Sequence, residues 1–285
     1  KNATKGWVIY ATENSNYPPR IQYIAKLVLK AWRKPDKISK FYKQLKHREF
    51  KNFTTVALKT LWLMHKYILW GPPSTEQARD ILTNIYETWA GNIMQHSKSK
   101  KDEYRSDFFS KLICIYSEIL VAKFDLYRRH KAMISQNFSL KPYFNNRTKL
   151  EGSPLSIKVI RNLFNYWKQL IGIHQRITQS TYLRKIVSFI AWSILEEEYP
   201  LVCLITHLYH AFKLTAYVNN VEYKVEKDIK QFDEKFIQNY ASTLMFYHKV
   251  IRMPELEEIR PKLPYFPHEL LKHFKVNSFL NNIQL

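Results

Sequence analysis

The sequence predicts an all-α fold, a stack of antiparallel helices that ends in a long helical hairpin or bundle. Three observations predict it. Apolar residues recur at spacings of three and four between breaks marked by proline and glycine, as on helices. Strand-like alternation is nearly absent. Only five glycines occur in 285 residues, too few for a sandwich or for Gly-rich phosphate-binding loops. With 46% hydrophobic and 15% aromatic residues, the chain can fill a sizeable core, which excludes disorder.

The elements follow in order. A short first helix ends near Thr12. A second runs from about Arg20 to Arg33, with Ile21, Ile24, Ala25, Val28 and Leu29 expected on one face. Asp36 is expected to cap a third, in which Ile38, Phe41, Tyr42 and Leu45 form the apolar stripe and Lys37, Lys40, Lys43 and Lys46 lie off it. The segment 53–70 carries two stripes. One is Phe53, Val56, Ala57, Thr60, Leu61, Met64, Tyr67 and Ile68; the other is Leu58, Trp62, His65 and Leu69. A helix apolar on two faces is surrounded by others, so this one is expected to be the pillar of the N-terminal half. Further helices are expected near 75–91, 105–130, 154–178, 180–197, 200–217 and 222–252, with breaks at Gly91 and Pro200. The last spans about 45 Å and turns Val225, Ile229, Phe232, Phe236, Tyr240, Leu244 and Tyr247 inward. Glu196-Glu197-Glu198, just before Pro200, reads as a solvated helix end.

Charge is concentrated at one end. The net charge is +21, and between Arg20 and Lys66 thirteen Lys or Arg residues face two acids, Asp36 and Glu49. A one-sided field of this kind draws anionic membranes or polymers to that end. The cluster also lacks the interspersed acids that solvated helical faces use for i,i+4 pairing. Residues 1–150 form the basic half and 151–285 the long-helix half. No charge-free run of about 18 apolar residues occurs, so no spanning helix is expected, and the start lacks the apolar core of a signal peptide. Cys114 and Cys203 lie in apolar stretches and are expected to be buried, reduced thiols.

Enzyme signatures are absent: no GxxxxGK[ST], GxGxxG, HExxH, GxSxG or CxxC occurs. No catalytic residue, metal ligand or cofactor is expected. Cys203, His207 and His210 have helical spacing, but a structural zinc wants four ligands, so packing and hydrogen bonding are the expected roles.

Tyr10-Ala11-Thr12, six residues, then Pro19-Arg20-Ile21-Gln22-Tyr23 resembles the phosphoinositide motif of ANTH domains, which runs Lys-Ala-Thr, six residues, Pro-Lys-x-Lys-His. Leu58, Lys59, Leu61, His65 and Gly71 of FTTVALKTLWLMHKYILWG match another helix of that family. LICIYSEILVAKFDLYRRH and PKLPYFPHELLKHF resemble two further segments. The likeness extends over nearly the whole chain. It implies a single domain over 1–285 with the right-handed superhelical solenoid of the family. It implies a cytosolic, peripheral membrane adaptor of clathrin-linked vesicle formation, located at the plasma membrane, coated pits or vesicles.

The implied headgroup, phosphatidylinositol 4,5-bisphosphate above all, would meet Tyr10, Arg20, Gln22 and Tyr23. Lys5 and Lys26 would supply the charge missing where Tyr10, Gln22 and Tyr23 replace the family's Lys, Lys and His. Lys30, Lys37, Lys40 and Lys43 are expected to face the membrane as a diffuse field. SNARE cargo is an implied partner, and so is a clathrin coat reached through a tail outside these residues. Lys1 is not a methionine, so the chain is expected to be a piece of something longer.

Two other readings use the same charge. A nucleic-acid or phosphopeptide binder would stack ligands on Trp32, Phe41, Tyr42 and Trp70, although those aromatics fit the apolar stripes and are expected in the core. A structural subunit would dock an acidic partner on the basic face.

Overall fold

The computed structural model describes residues 3–72, 76–96, 103–131, 134–139, 141–142, 154–180, 183–219, 222–262 and 264–266. Among them are nine α-helices and no strand: α1 Ala3–Ala11, α2 Ile21–Arg33, α3 Ile38–Lys46, α4 Thr54–Trp70, α5 Glu76–His96, α6 Glu103–His130, α7 Pro154–Gln179, α8 Arg184–Val218 and α9 Glu222–Val250. Short 3₁₀ segments cover Pro35–Lys37 and Pro254–Lys262. The all-α class is therefore as expected. Most of the proline-rich end, from residue 267, lies outside the described residues.

The chain divides into two compact units, Lys1–Arg128 with Gln175–Ser193, and Arg129–His174 with Ile194–Leu285. In the first, α4 is the pillar its two stripes predict: every residue from Val56 to Leu69 is buried. At about 1.5–3 kcal/mol for each fully buried large aliphatic or aromatic side chain, this helix anchors the unit. Several of its polar side chains find partners. The Trp62 indole donates to the Phe189 carbonyl at 2.9 Å, and His65 Nδ1 meets the Tyr116 hydroxyl at 2.8 Å. The Lys66 ammonium sits 4.0 Å from the centre of the Trp192 ring. Gly71 ends the helix where a Cβ would come within 2.4 Å of the Tyr67 carbonyl oxygen, so only glycine fits without a backbone shift.

In the second unit, α7 and α9 pack aromatic on aromatic. Phe164 stacks on Phe232 at 5.4 Å, Trp167 meets Phe236 edge-on at 5.6 Å, and the Trp167 indole donates to Thr243 at 3.0 Å. Asp233 of α9 receives Lys213 at 2.9 Å and Tyr209 at 2.8 Å from α8.

Several local expectations are corrected. In α2 the core face is Ile24, Leu27 and Ala31; Ile21, Ala25 and Leu29 are exposed. Asp36 does not cap α3 but lies inside the preceding 3₁₀ turn. α5 runs through Gly91 to His96, because one helical glycine costs only about 1 kcal/mol against the packing of Ile81, Leu82, Ile85 and Trp89. α8 is continuous through Pro200, although proline lacks the N–H that would bond to the Glu196 carbonyl. Leu195, Leu201, Val202 and Leu204, all buried, hold both sides of it in place.

The acidic run is not solvated either. Glu197 and Glu198 are fully buried, where Tyr166 donates to Glu197 at 2.6 Å and His174 Nε2 lies 2.9 Å from a Glu198 oxygen. Cys203 is exposed, since Leu204, Ile205, Leu208 and Tyr209 take the buried face of α8. α8 is long and apolar enough to cross a bilayer by length and composition. Its three central glutamates, two of them buried against Tyr166 and His174, fit a protein interior.

Candidate functional site

The basic motif falls on the turn between α1 and α2. α1 stops where the Thr12 hydroxyl donates back to the Val8 carbonyl at 2.7 Å. The connection that follows is held at three points. Arg48 donates to the Thr12 hydroxyl at 2.7 Å and to the Thr12 carbonyl at 2.8 Å. Lys59 of α4 donates to the Glu13 carbonyl at 2.8 Å and to the Ser15 hydroxyl at 3.0 Å, and Thr55 bonds Asn14. Burial pushes the Lys59 ammonium down to about 8, because desolvation disfavours its charged form. The matching lysine of the family motif is thus a tether for this connection, not an exposed ligand. Its sequence signal was available: a cation inside a doubly apolar helix, as Lys59 and Lys66 both are, needs a buried partner.

On this anchored turn the Tyr10 and Tyr23 rings stack with centroids 5.1 Å apart and planes 20° from parallel. The Lys26 ammonium lies 5.4 Å from the centre of the Tyr23 ring. Arg20 is exposed and makes a long, 4.0 Å contact with Glu13, which at the surface is worth little and leaves the guanidinium open to an anion. Gln22 is exposed one turn before Lys26 on the same lane of α2. Lys5 is exposed on α1, on the lane of Ile9, whereas Tyr10 follows Gly6 along the helix. The structure thus brings Tyr10, Tyr23 and Lys26 into direct contact. Arg20 and Gln22 stand beside them, and Lys5 stands apart.

Of the four residues expected to form a diffuse field, Lys37, Lys40 and Lys43 are exposed. Lys30 is half-buried, donating to Thr4 at 2.7 Å with its ammonium 5.1 Å from the centre of the Trp7 ring. Among the thirteen cations from Arg20 to Lys66, Lys59 and Lys66 are buried and Lys30 and Arg48 half-buried, leaving nine exposed. Phe41 and Tyr42 are core, as expected of the stripe, but Trp32 and Trp70 are 56% and 58% exposed. Among the described residues no group of three or more His, Cys, Asp or Glu is arranged to hold a metal, and His207 and His210 are half-buried and exposed respectively.

Chemically, the arrangement offers one open guanidinium, one ammonium over a phenol, two phenolic hydroxyls and an amide. Such a set donates hydrogen bonds to an anion and has no nucleophile paired with a base.

The fold is similar to that of the ENTH domain from epsin-2, solved in complex with phosphatidylinositol 4,5-bisphosphate. The TM-score is 0.64 at 13% identity, covering 93% of this chain and 98% of that one. It is also similar to a chain of the endocytic adaptor complex AENTH, with a TM-score of 0.58 at 17% identity, covering 88% and 97%. No curated protein matches the sequence. The family model of the ANTH domain, however, matches residues 6–221, most of the chain and all of the turn that carries the motif, and this chain belongs to the ANTH domain family.

Proposed function

We propose that this chain is a peripheral membrane adaptor that docks a phosphoinositide headgroup at the α1–α2 turn, in clathrin-linked vesicle formation at the cytosolic face of the plasma membrane. One observation carries the reading. The stacked Tyr10–Tyr23 pair, with Lys26 across it and Arg20 beside it, sits on a turn anchored by Arg48 and Lys59, in a unit that also exposes Lys37, Lys40 and Lys43. Phosphate oxygens are held by charge-assisted donors, which Arg20 and Lys26 supply, while the phenols donate neutral hydrogen bonds. The epsin-2 relative in fold was solved with phosphatidylinositol 4,5-bisphosphate, which makes that lipid the first headgroup to try. Exposed cations near an anionic leaflet add roughly 1 kcal/mol each, so the field adsorbs the domain and the turn selects the lipid. Lys5 joins the headgroup only with a lipid large enough to reach its side of α1. Clathrin is engaged through sequence outside these residues, SNARE cargo is a candidate partner, and no catalysis is part of the reading.

Co-sedimentation at about 0.15 M salt, where the Debye length is about 8 Å, compares neutral vesicles, phosphatidylserine vesicles and vesicles with each phosphoinositide. Selective pelleting with one phosphoinositide, lost in Arg20→Glu with helicity unchanged, supports the proposal. Selectivity that survives Arg20→Glu refutes this site. Tyr10, Gln22 and Tyr23 in place of cations favour a second reading, a structural subunit docking an acidic protein. Absence of pelleting with every vesicle, together with stoichiometric co-purification of an acidic partner, would establish that one.

A further inference from the structure

α2 carries two apolar lanes, and only one serves the core. Ile24, Leu27 and Ala31 are buried. Ile21, Ala25, Leu29 and Trp32, at spacings of four, four and three, share another lane that is solvent-exposed. Ile21 is 42%, Leu29 55% and Trp32 56% exposed. Single exposed apolar residues are ordinary, whereas a lane of four at helical spacing needs an explanation. Trp32 is held in place by its indole N–H, which donates to the Trp70 carbonyl at 2.8 Å at the end of α4. Trp70 is itself exposed, so the lane ends at a second indole.

Adjacent on the helix run Gln22, Lys26 and Arg33, all exposed, and Lys34 and Lys37 follow. Asp36 is the one acid between Arg20 and Lys46. The occupant of this surface is therefore apolar and anionic at once. An anionic bilayer leaflet meets both demands, because indoles favour the headgroup boundary and an apolar lane flanked by cations lies in the interfacial plane.

We infer that the lane Ile21–Ala25–Leu29–Trp32, extended by Trp70, is a shallow membrane-insertion surface whose burial at the acyl boundary adds to the attraction of headgroups by Lys26 and Arg33. The inference rests on the membrane reading above.

Leu29→Ser tests it, since Leu29 lies outside the core and outside the headgroup site. On phosphatidylcholine vesicles carrying phosphatidylserine and phosphatidylinositol 4,5-bisphosphate, losing about half a leucine of buried area weakens partitioning about tenfold. That defect persists in high salt, where the defect of Lys37→Glu is screened away. Leu214→Ser, at a site 63% exposed on α8, leaves partitioning unchanged. Acyl-brominated lipids quench the wild type more than Trp32→Phe. Wild-type partitioning by Leu29→Ser, or equal quenching of the wild type and Trp32→Phe, overturns the insertion surface while leaving the headgroup site standing. A wild type that binds no vesicle overturns both.

Discussion

Replacing Lys59 by methionine tests whether a buried cation tethers the α1–α2 turn. Lys59 is 1% exposed, yet its ammonium reaches the Glu13 carbonyl and the Ser15 hydroxyl at 2.8 and 3.0 Å. Burial holds its folded-state value near 8, against 10.5 for the free side chain. Because the folded value is the lower one, the unfolded chain binds the proton more tightly between these limits. The cost of burying the charge is fully present below pH 8 and is relieved as pH rises toward 10.5, so wild-type stability climbs across this window. At about 1.4 kcal/mol per pH unit the whole shift corresponds to roughly 3 kcal/mol. Glu13 is exposed and Ser15 half-buried, so water reaches the ammonium in part, and about 1–2 kcal/mol is the working figure.

Near pH 7 the two sides of the Met variant nearly offset. It loses two hydrogen bonds from a charged donor and escapes the desolvation cost, for a net change within about 1 kcal/mol. The measurement is urea unfolding of both proteins at pH 7 and pH 9.5. Wild type is expected to gain on Lys59→Met by about 1–2 kcal/mol over that interval. Headgroup-selective vesicle binding should also fall in the variant at pH 7, because the turn is untethered. Parallel stability profiles for the two proteins would refute the buried-ammonium account.

Other outcomes follow from single contacts. Gly71→Ala forces a Cβ against the Tyr67 carbonyl and should lower stability by about 1–3 kcal/mol in chemical unfolding, whereas a neutral result would mean α4 ends differently. Tyr166→Phe removes the donor 2.6 Å from buried Glu197 and should cost about 1.5–3 kcal/mol, a loss that Glu197→Gln made in the same background should partly recover. Lys40→Glu with Lys43→Glu should weaken vesicle adsorption in a graded, salt-dependent way, and an all-or-none loss would move the lipid site onto α3.

What the sequence made legible depended on whether its local pattern had competitors. α4 has apolar residues on two faces, so nearly any packing buries it, and the pillar was readable. α2 has two apolar lanes of similar strength. Periodicity found them but could not choose, because the choice depends on α1 and α4, which pack against it. Pro200 is a strong local stop signal that long-range burial of Leu195, Leu201 and Leu204 overrides. Glu197 and Glu198 looked solvated because their partners stand 31 and 45 residues away, at Tyr166 and Thr243. In the candidate site, motif order marked the turn. The Tyr10–Tyr23 stack and the Arg48 tether depend on tertiary packing that no spacing rule encodes. Charge counting marked the basic end of the chain but included Lys59 and Lys66, which the core absorbs.

The central claim is that α1 and α2 together meet a phosphoinositide membrane, and hydrogen exchange on vesicles tests it most directly. With vesicles carrying phosphatidylinositol 4,5-bisphosphate, backbone amides from Ala3 to Arg33 should exchange more slowly than in the free protein, while those of Glu222–Val250 should not change. Protection that appears on Glu222–Val250 and spares α1 and α2, with the protein demonstrably vesicle-bound, would contradict the account.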